Sequence, residues 1–442
     1  MTRMEMHQMP AIRRCAAFMA VALSVASAPG AEWIFNEFAL RALARTEPAG
    51  GGGFVCPVYG LSSALGTLGY AMPPESRPPF AKELSLFSGF PESFAEVRGK
   101  LLASRAFIDN NGRSCFVLWA LRGMDVRGTD DGVDTGFAFS VQDSFGGEVV
   151  RTMYPSHANR LISVMTDGEF PCFLAKGEEL GRAGCSYTGA CSMRPRFEKP
   201  FDPAATAAGR FRSPGGSSGI RFVRGEQDGA AGETGGLSAA ALRMKGGLVL
   251  VLVKPRDPAA KLPQFKDLTP SGLAEIFKCL AVSPEERVIS SLSDDALMEF
   301  RTNDLVRVSL PVFSQTRSID LAEYFASAGL PRSGFSCLGS GAGVGFMRIE
   351  TKFAIDEGGM PPDGEIVSGD PAEASLAARK DAVAKASPAK APGRRRTDRN
   401  AKAARKPVDF ACDVPFMYFV CHEKTGCIVF AGRYAGETPP AK

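Results

Sequence analysis

The stretch "AIDEGGMPPDGEIVSG", Ala354–Gly369, closes one pattern and breaks it. Just upstream, "GFMRIETKFAID" (Gly345–Asp356) alternates apolar and polar residues, which predicts a long half-buried strand. Where that strand is ready to continue, the chain turns acidic and glycine-rich at Glu357 and Gly359. It then places Met360 before adjacent Pro361 and Pro362. Proline has no backbone N–H and its ring crowds a neighbouring strand, so the prolines bar this stretch from easy service in the middle of a sheet.

Beyond it lies a compositional break, Gly369–Pro407, with eleven Lys and Arg against four Asp and Glu, a net of +7 in a chain whose total is +4. Leu376 and Val383 are almost its only sizeable apolar side chains. Such a segment cannot bury enough surface to offset the entropy of ordering, so residues 369–407 are expected to be a disordered basic insert. Its composition resembles that of basic nucleic-acid-binding tails, a weak signal in itself.

Outside this tract the 442-residue chain is that of a protein with a large core: 45% of all residues are hydrophobic, spread from Trp33 to Phe430. The first 30 residues read as an export signal: Arg13 and Arg14 precede the apolar run "CAAFMAVALSVASA" (Cys15–Ala28), which is short for a membrane span, and small residues follow. No other segment reads as a transmembrane helix, because "GGLVLVLVKP" (Gly246–Pro255) ends at Lys254 after too few apolar residues. The expected location is secreted or extracytoplasmic. Export would permit disulfides. The spacings of the 11 cysteines nevertheless fit no zinc ribbon or CxxC motif, and several sit inside apolar runs, so most are expected to be free and buried as small hydrophobes.

Enzyme chemistry finds little to work with. Only three histidines occur, His7, His157 and His422, whereas Ser-His-Asp, Cys-His and His-rich zinc sites each need a placed imidazole. The run "CLGSGAGVG" (Cys337–Gly345) alternates glycine strictly and precedes a strand, so it fails the dinucleotide fingerprint, which follows a strand and opens a helix. No phosphate-binding P-loop or HExxH motif is present. No catalytic residue, metal site or cofactor is expected.

Along the chain, "EWIFNEFALRALAR" (Glu32–Arg45) predicts an amphipathic helix and "YGLSSALGTLGYAM" (Tyr59–Met72) a buried one. "CFVLWAL" (Cys115–Leu121) and "GFAFSVQ" (Gly136–Gln142) read as strands, and "HANRLISVM" (His157–Met165) as a helix ending at "TDG". Residues 204–236, rich in Gly, Ser and Ala, read as turns and short edge strands. Gly246–Pro255 reads as a buried strand, Ser271–Leu280 as a helix, and "DLVRVSLPVF" (Asp304–Phe313) as a strand stopping at Pro311. "SIDLAEYFASAGL" (Ser318–Leu330) reads as a helix with Ser at its start and Gly329 near its end. Two apolar strands joined by "HEKTG" (His422–Gly426) close the chain as a hairpin. Helices and strands mix without regular alternation, which argues an α+β fold.

In this order the segments resemble the serpin family of protease inhibitors over nearly the full length after the leader. "NEFALRAL" (Asn36–Leu43) is similar to the family's first helix. "GGFVCPVYGLSSALGTLGYAM" (Gly52–Met72) resembles its N-x-x-x-S-P-x-S approach to the second, with Cys56 in place of Ser and Pro57 retained. "FEKPFDPAATAAGRF" (Phe197–Phe211) is similar to W-x-x-P-F-x-x-x-x-T-x-x-x-x-F. Phe197 stands in place of Trp, and Pro200, Phe201, Thr206 and Phe211 are kept. Asp304–Leu330 resembles the strand-Pro-x-Phe-helix-Gly pattern. Val408–Arg433 resembles the C-terminal signature, with Pro415, Phe416, Phe430, Gly432 and Arg433 in place.

The resemblance implies a single serpin domain over residues 31–440, with a large central sheet, two smaller sheets and about nine helices. It also implies that residues 357–409 form an extended reactive-loop region, with Glu357, Gly359, Met360, Pro361 and Pro362 at its hinge. In the family mechanism a protease cuts the loop, and the freed loop inserts as a new strand and carries the acylated protease to the far pole. The family's inhibitors carry small residues where this chain has Met360, Pro361 and Pro362. The loop is long as well, since Gly359 to Pro415 is 56 positions. An inserted strand of ~15 residues covers ~50 Å at about 3.3 Å per residue. Counting forward reaches Glu373–Ser375. The basic candidate cleavage sites, Arg379 and Lys380 and then Arg394, Arg395 and Arg396, lie beyond that point.

The expectation is therefore an exported, monomeric member of the protease-inhibitor superfamily that is not an enzyme and shows proteases an exposed loop without efficient suicide inhibition. Two alternatives stand beside it. One is active inhibition of a trypsin-like serine protease. The other is a scaffold whose basic insert binds an acidic polymer or surface through Lys385, Lys390, Arg399, Lys402, Arg405 and Lys406.

Overall fold

Buried and part-buried positions alternate along Gly343–Ile355, strand β11 of the computed structural model, as the sequence pattern requires. The structure describes residues 31–50, 52–86, 113–120, 133–145, 147–150, 155–174, 184–213, 216–281, 300–301, 304–339, 343–357, 406–423 and 426–436. Met1–Gly359 with Pro407–Lys442 form one compact unit and Met360–Lys406 a second. Every helix and strand below belongs to the first. Residues 1–30, read above as an export signal, lie outside the described residues.

Strand β11 sits in a five-stranded sheet, between β10 (Phe313–Asp320) and β4 (Gly184–Met193), with β2 (Arg113–Ala120) and β3 (Glu148–Val150) beyond β4. The other sheet has nine strands. One half holds β1 (Phe54–Cys56), β14 (Ile428–Tyr434), β13 (Phe416–His422), β8 (Leu248–Pro255) and β7 (Leu237–Arg243). The other holds β9 (Asp304–Pro311), β12 (Val408–Ala411) and β5 (Ala207–Ser213). The 19-residue strand β6 (Gly216–Thr234) belongs to both halves, so the two smaller sheets that the resemblance implies are joined through it into one. Seven helices lie among the described residues: α1 (Ala31–Thr46), α2 (Val58–Ala71), α3 (Pro78–Glu83), α4 (Thr135–Phe145), α5 (Pro155–Met165), α6 (Pro270–Lys278) and α7 (Leu321–Ala328).

The core fills the space between the two sheets. The inward row of β11, Met347, Ile349, Thr351, Phe353 and Ile355, is buried. Phe353 stacks on Tyr418 of β13 with ring centroids 4.6 Å apart and planes at 13°. Phe313 of β10 stacks on Tyr434 of β14 at 4.5 Å. Gln315 bridges the layers, donating to the Arg433 carbonyl and accepting from the Tyr418 hydroxyl, both at 2.8 Å. Helix α2 is buried almost throughout and passes beneath β4. A Cβ on Gly60 would lie 3.2 Å from the Cys191 Cβ, so only a small residue permits this approach. Helix α1 holds the C-terminal hairpin, because the Asn36 side chain donates to the Gly426 carbonyl and accepts from the Ile428 N–H, both at 3.0 Å.

Three local readings are corrected. "GFAFSVQ" lies in helix α4, not in a strand. Phe137, Val141 and Phe145 recur every four residues and are buried, and the Asp134 carboxylate accepts the Phe137 N–H at 2.6 Å, capping the helix. Residues 204–236 hold one short edge strand, β5, as read, but most of them form the long interior strand β6 and not turns. The glycines there answer to crowding: a Cβ on Gly229 would stand 2.1 Å from the Ala241 carbonyl oxygen, and one on Gly232 2.6 Å from that of Cys279. Ser318 does not start a helix. It belongs to β10, and Asp320 caps α7 by accepting the Ala322 N–H at 2.7 Å. Gly329 ends α7 in the left-handed conformation at φ 66°, as its position predicts.

Candidate functional site at a closed strand seam

The centre of the five-stranded sheet is a parallel pair. β11 runs alongside β4 from Gly343 opposite Gly184 to Phe353 opposite Met193, with one bulge between Val344 and Phe346. Its other neighbour, β10, is antiparallel over eight residue pairs. A parallel pair between chain segments so distant in sequence has a consequence. A segment that leaves the end of β11 and turns back runs antiparallel to β11, and therefore antiparallel to β4 as well. Entering between them, it would replace one parallel ladder with two antiparallel ones, which are slightly more stable per residue. In this structure β4 and β11 are hydrogen-bonded directly and the seam is closed.

At the end of β11, Glu357 is fixed at two atoms. Its carboxylate accepts from Arg221 of β6 at 2.6 Å, and its carbonyl accepts the Phe201 N–H at 3.1 Å. Arg221 is exposed, whereas the Glu357 side chain is mostly covered. Phe201 is buried and meets Phe197 edge to face at 5.0 Å. Phe197 bridges to Met244, and Glu198 donates its N–H to the Arg243 carbonyl at 3.2 Å, so the segment leaving β4 is tied across the end of β7. Downstream, β12 rejoins the body by pairing parallel to β9, from Val408 opposite Val306 to Ala411 opposite Ser309.

On the outer face of the seam, Glu169 receives two cations. Lys352 of β11 is 2.6 Å from its Oε1, and Arg194, just past β4, is 3.3 Å from the same oxygen. Burial works to raise the Glu169 pKa. The hydrogen bond and charge of Lys352, joined by Arg194, outweigh it and hold the carboxyl below its ordinary range. On the inner face Cys56 and Cys191 are wholly buried, and burial pushes their thiols up to about 11 and about 12. They are neutral packing groups at physiological pH. All ten cysteines among the described residues are free.

Of the site residues read from the sequence, Glu357 and the exposed Lys406 are among the described residues. The remaining hinge, cleavage-site and basic-tract candidates lie outside them. Sequence reasoning missed Arg221, Glu169, Arg194 and Lys352. Only Lys352 carried a signal, as an outward position in the alternation of β11. Among the described residues no group of three His, Cys, Asp or Glu could hold a metal, and no helix is long and apolar enough to cross a membrane.

The architecture is that of solved serpins. The chain matches the mouse protein-Z dependent protease inhibitor with a TM-score of 0.68 at 14% identity, over 94% of this chain and 100% of that one. It matches the thermophilic serpin tengpin, in its native state, at 0.66 and 14% identity, over 92% and 94%. Maspin matches at 0.64 and 18% identity, over 92% and 99%. No family model and no curated protein sequence matches the chain. At these identities the likeness establishes the fold, and the chain has the serpin fold.

Proposed function

We propose that this protein is an exported member of the serpin superfamily. In this reading residues 357–409 are a protease-exposed loop, and cleavage there does not lead to efficient suicide inhibition. The observation that carries the reading is the closed parallel seam of β4 and β11, with Glu357 at its end and the chain resuming at β12. That topology offers a returning strand two antiparallel partners, which is the driving force a loop-inserting inhibitor needs.

The sequence of the returning strand works against it. Met360, Pro361 and Pro362 would be among the first residues to enter. Each proline removes a ladder donor and crowds its neighbour, and the seam must part at this end first. Inhibition is a race between insertion and release of the acylated protease, so slow insertion leaves a cleaved substrate. Any protease that the loop meets is of the serine type, with trypsin-like preference if the cut falls at Arg379, Lys380 or Arg394–Arg396. The run from Arg13 to Ala28 supports export.

The test is limited cleavage of the mature protein by a trypsin-like protease. Products are examined for a denaturant-resistant covalent complex, and the cleaved protein is melted. The expected outcome is clean cleavage, no complex and no rise in melting temperature. A covalent complex together with a large rise would overturn the reading and establish an inhibitor. The basic tract favours a second reading, a scaffold whose insert binds an acidic polymer. Binding that weakens steeply with salt and disappears when residues 387–406 are deleted would support it.

A further inference from the structure

On the outer face of the seam one apolar cluster draws on both sides, with Phe346 of β11 packed against it. Helix α5 and the turn after it pack on β2 and β4: Ala158, Ile162, Phe170 and Phe173 are buried against Val117 and Ala190. The turn is tightly fixed. Gly168 donates to the Ser163 carbonyl at 2.8 Å and Glu169 to the Thr166 carbonyl at 3.0 Å, with Asp167 and Gly168 both at positive φ. Glu169 is thus anchored to the β4 side of the seam by its own backbone, by Phe170 and by Arg194. Across the seam its carboxylate pairs with Lys352. Lys352 is opposite Ser192 in the register, in the row that faces outward.

We propose that Glu169 is a latch on the β4–β11 seam, whose bond to Lys352 must break before another strand can enter and which therefore sets how often the seam opens. This deepens the reading above and rests on it for its biological meaning. Adjacent strands lie ~4.8 Å apart, so an entering strand moves β11 away from β4 by about that much. A carboxylate that follows β4 cannot keep a 2.6 Å contact to Lys352 through such a shift. The Lys352, Glu169 and Arg194 side chains retain 27%, 21% and 20% of their exposure, so water screens this pair less than it screens an open surface pair. The inward row of β11 is apolar apart from Thr351, so the latch adds a polar hold on the outer side of the same strand.

The experiment is native-state hydrogen exchange on the whole mature protein, comparing wild type with Glu169→Gln and Lys352→Met. Arg256→Met serves as control, since it breaks the distant exposed pair Arg256–Glu233. Both latch variants should raise exchange about fivefold at the amides of Met347–Phe353 and Tyr187–Met193, read without denaturant, where these amides exchange by local opening of the seam. If one variant fails to fold, the other carries the test. Unchanged seam exchange in the folded variants would overturn the proposal. So would a rise confined to the hairpin, because the pair would then be lost only on global unfolding and not on opening of the seam. The readout involves no protease and no cleavage, so its failure and the failure of the proposed function are separate results.

Discussion

At Glu169, burial and charge oppose each other, and charge prevails. The carboxyl titrates below its ordinary value of 4.5 in the folded protein, because Lys352 and Arg194 favour its charged form more than burial disfavours it. A folded pKa below the unfolded one contributes stability that is fully present above pH 4.5 and is lost as pH falls through the folded value. The gap in melting temperature between wild type and Glu169→Gln should therefore be widest near neutrality and close on acidification below about pH 4.5. A gap that stays constant across that range would contradict the assignment. The thiols give a second expectation at this scale. Cys172 is exposed, while burial holds Cys56, Cys185 and Cys191 protonated, at about 11, 12 and 12. In the chain from residue 31 onward, an aromatic disulfide reagent should find Cys172 reacting fast in the native state and these three only after unfolding. Rapid native-state reaction of Cys56 or Cys191 would mean that the region under the seam opens readily. The burial of the cysteines was legible because several sit within apolar runs. The role of Glu169 was not, because its partners are 25 and 183 positions away and no local pattern marks them.

Elements read well where one period dominated. β8, β11 and the C-terminal hairpin follow the alternating or continuous apolar runs that predicted them. Helix α4 was misread because "GFAFSVQ" alternates for a few residues, and only the longer interval Phe137–Val141–Phe145 shows the helical period. Its start depends on one cap. Asp134→Ala should cost about 1 kcal/mol in denaturant unfolding, whereas Asp134→Asn or Asp134→Ser should recover most of it. Strand β6 was misread for a different reason. Glycine and serine suggest turns in one dimension, but here they admit the backbone of β7 and the segment after α6. Gly229→Ala should therefore behave as overpacking of a core, costing about 1–3 kcal/mol. The same change at Gly235, where a Cβ meets nothing, is strained only by its φ of 53°. Equal stability of Gly229→Ala and wild type in urea would show that the close approach to Ala241 is not real.

For the whole molecule, the order of segments was enough to imply the serpin fold, because each motif marks a fixed place in the topology. The state of the seam was not legible. The alternation that lets β4 and β11 touch would equally suit a sheet with a strand between them, so in the proposed reading the choice rests on a free-energy difference and not on a pattern. Two terms set that difference here: the ladder and latch that close the seam, and the fitness of the returning strand. The strand's fitness is the more direct to change. Replacing Pro361 by Thr and Pro362 by Ala restores two ladder donors and removes two crowding rings at the point where insertion begins. If the prolines are what prevents insertion, the double variant should, after cleavage at its loop, melt well above its uncleaved form, while cleaved and uncleaved wild type melt together. The comparison uses one protease and one cleavage site for both proteins, so the long loop is held constant. A rise in both would mean that the prolines are tolerated in the sheet. A rise in neither would place the obstacle in the closed seam, and adding Glu169→Gln to the double variant would then be expected to release it.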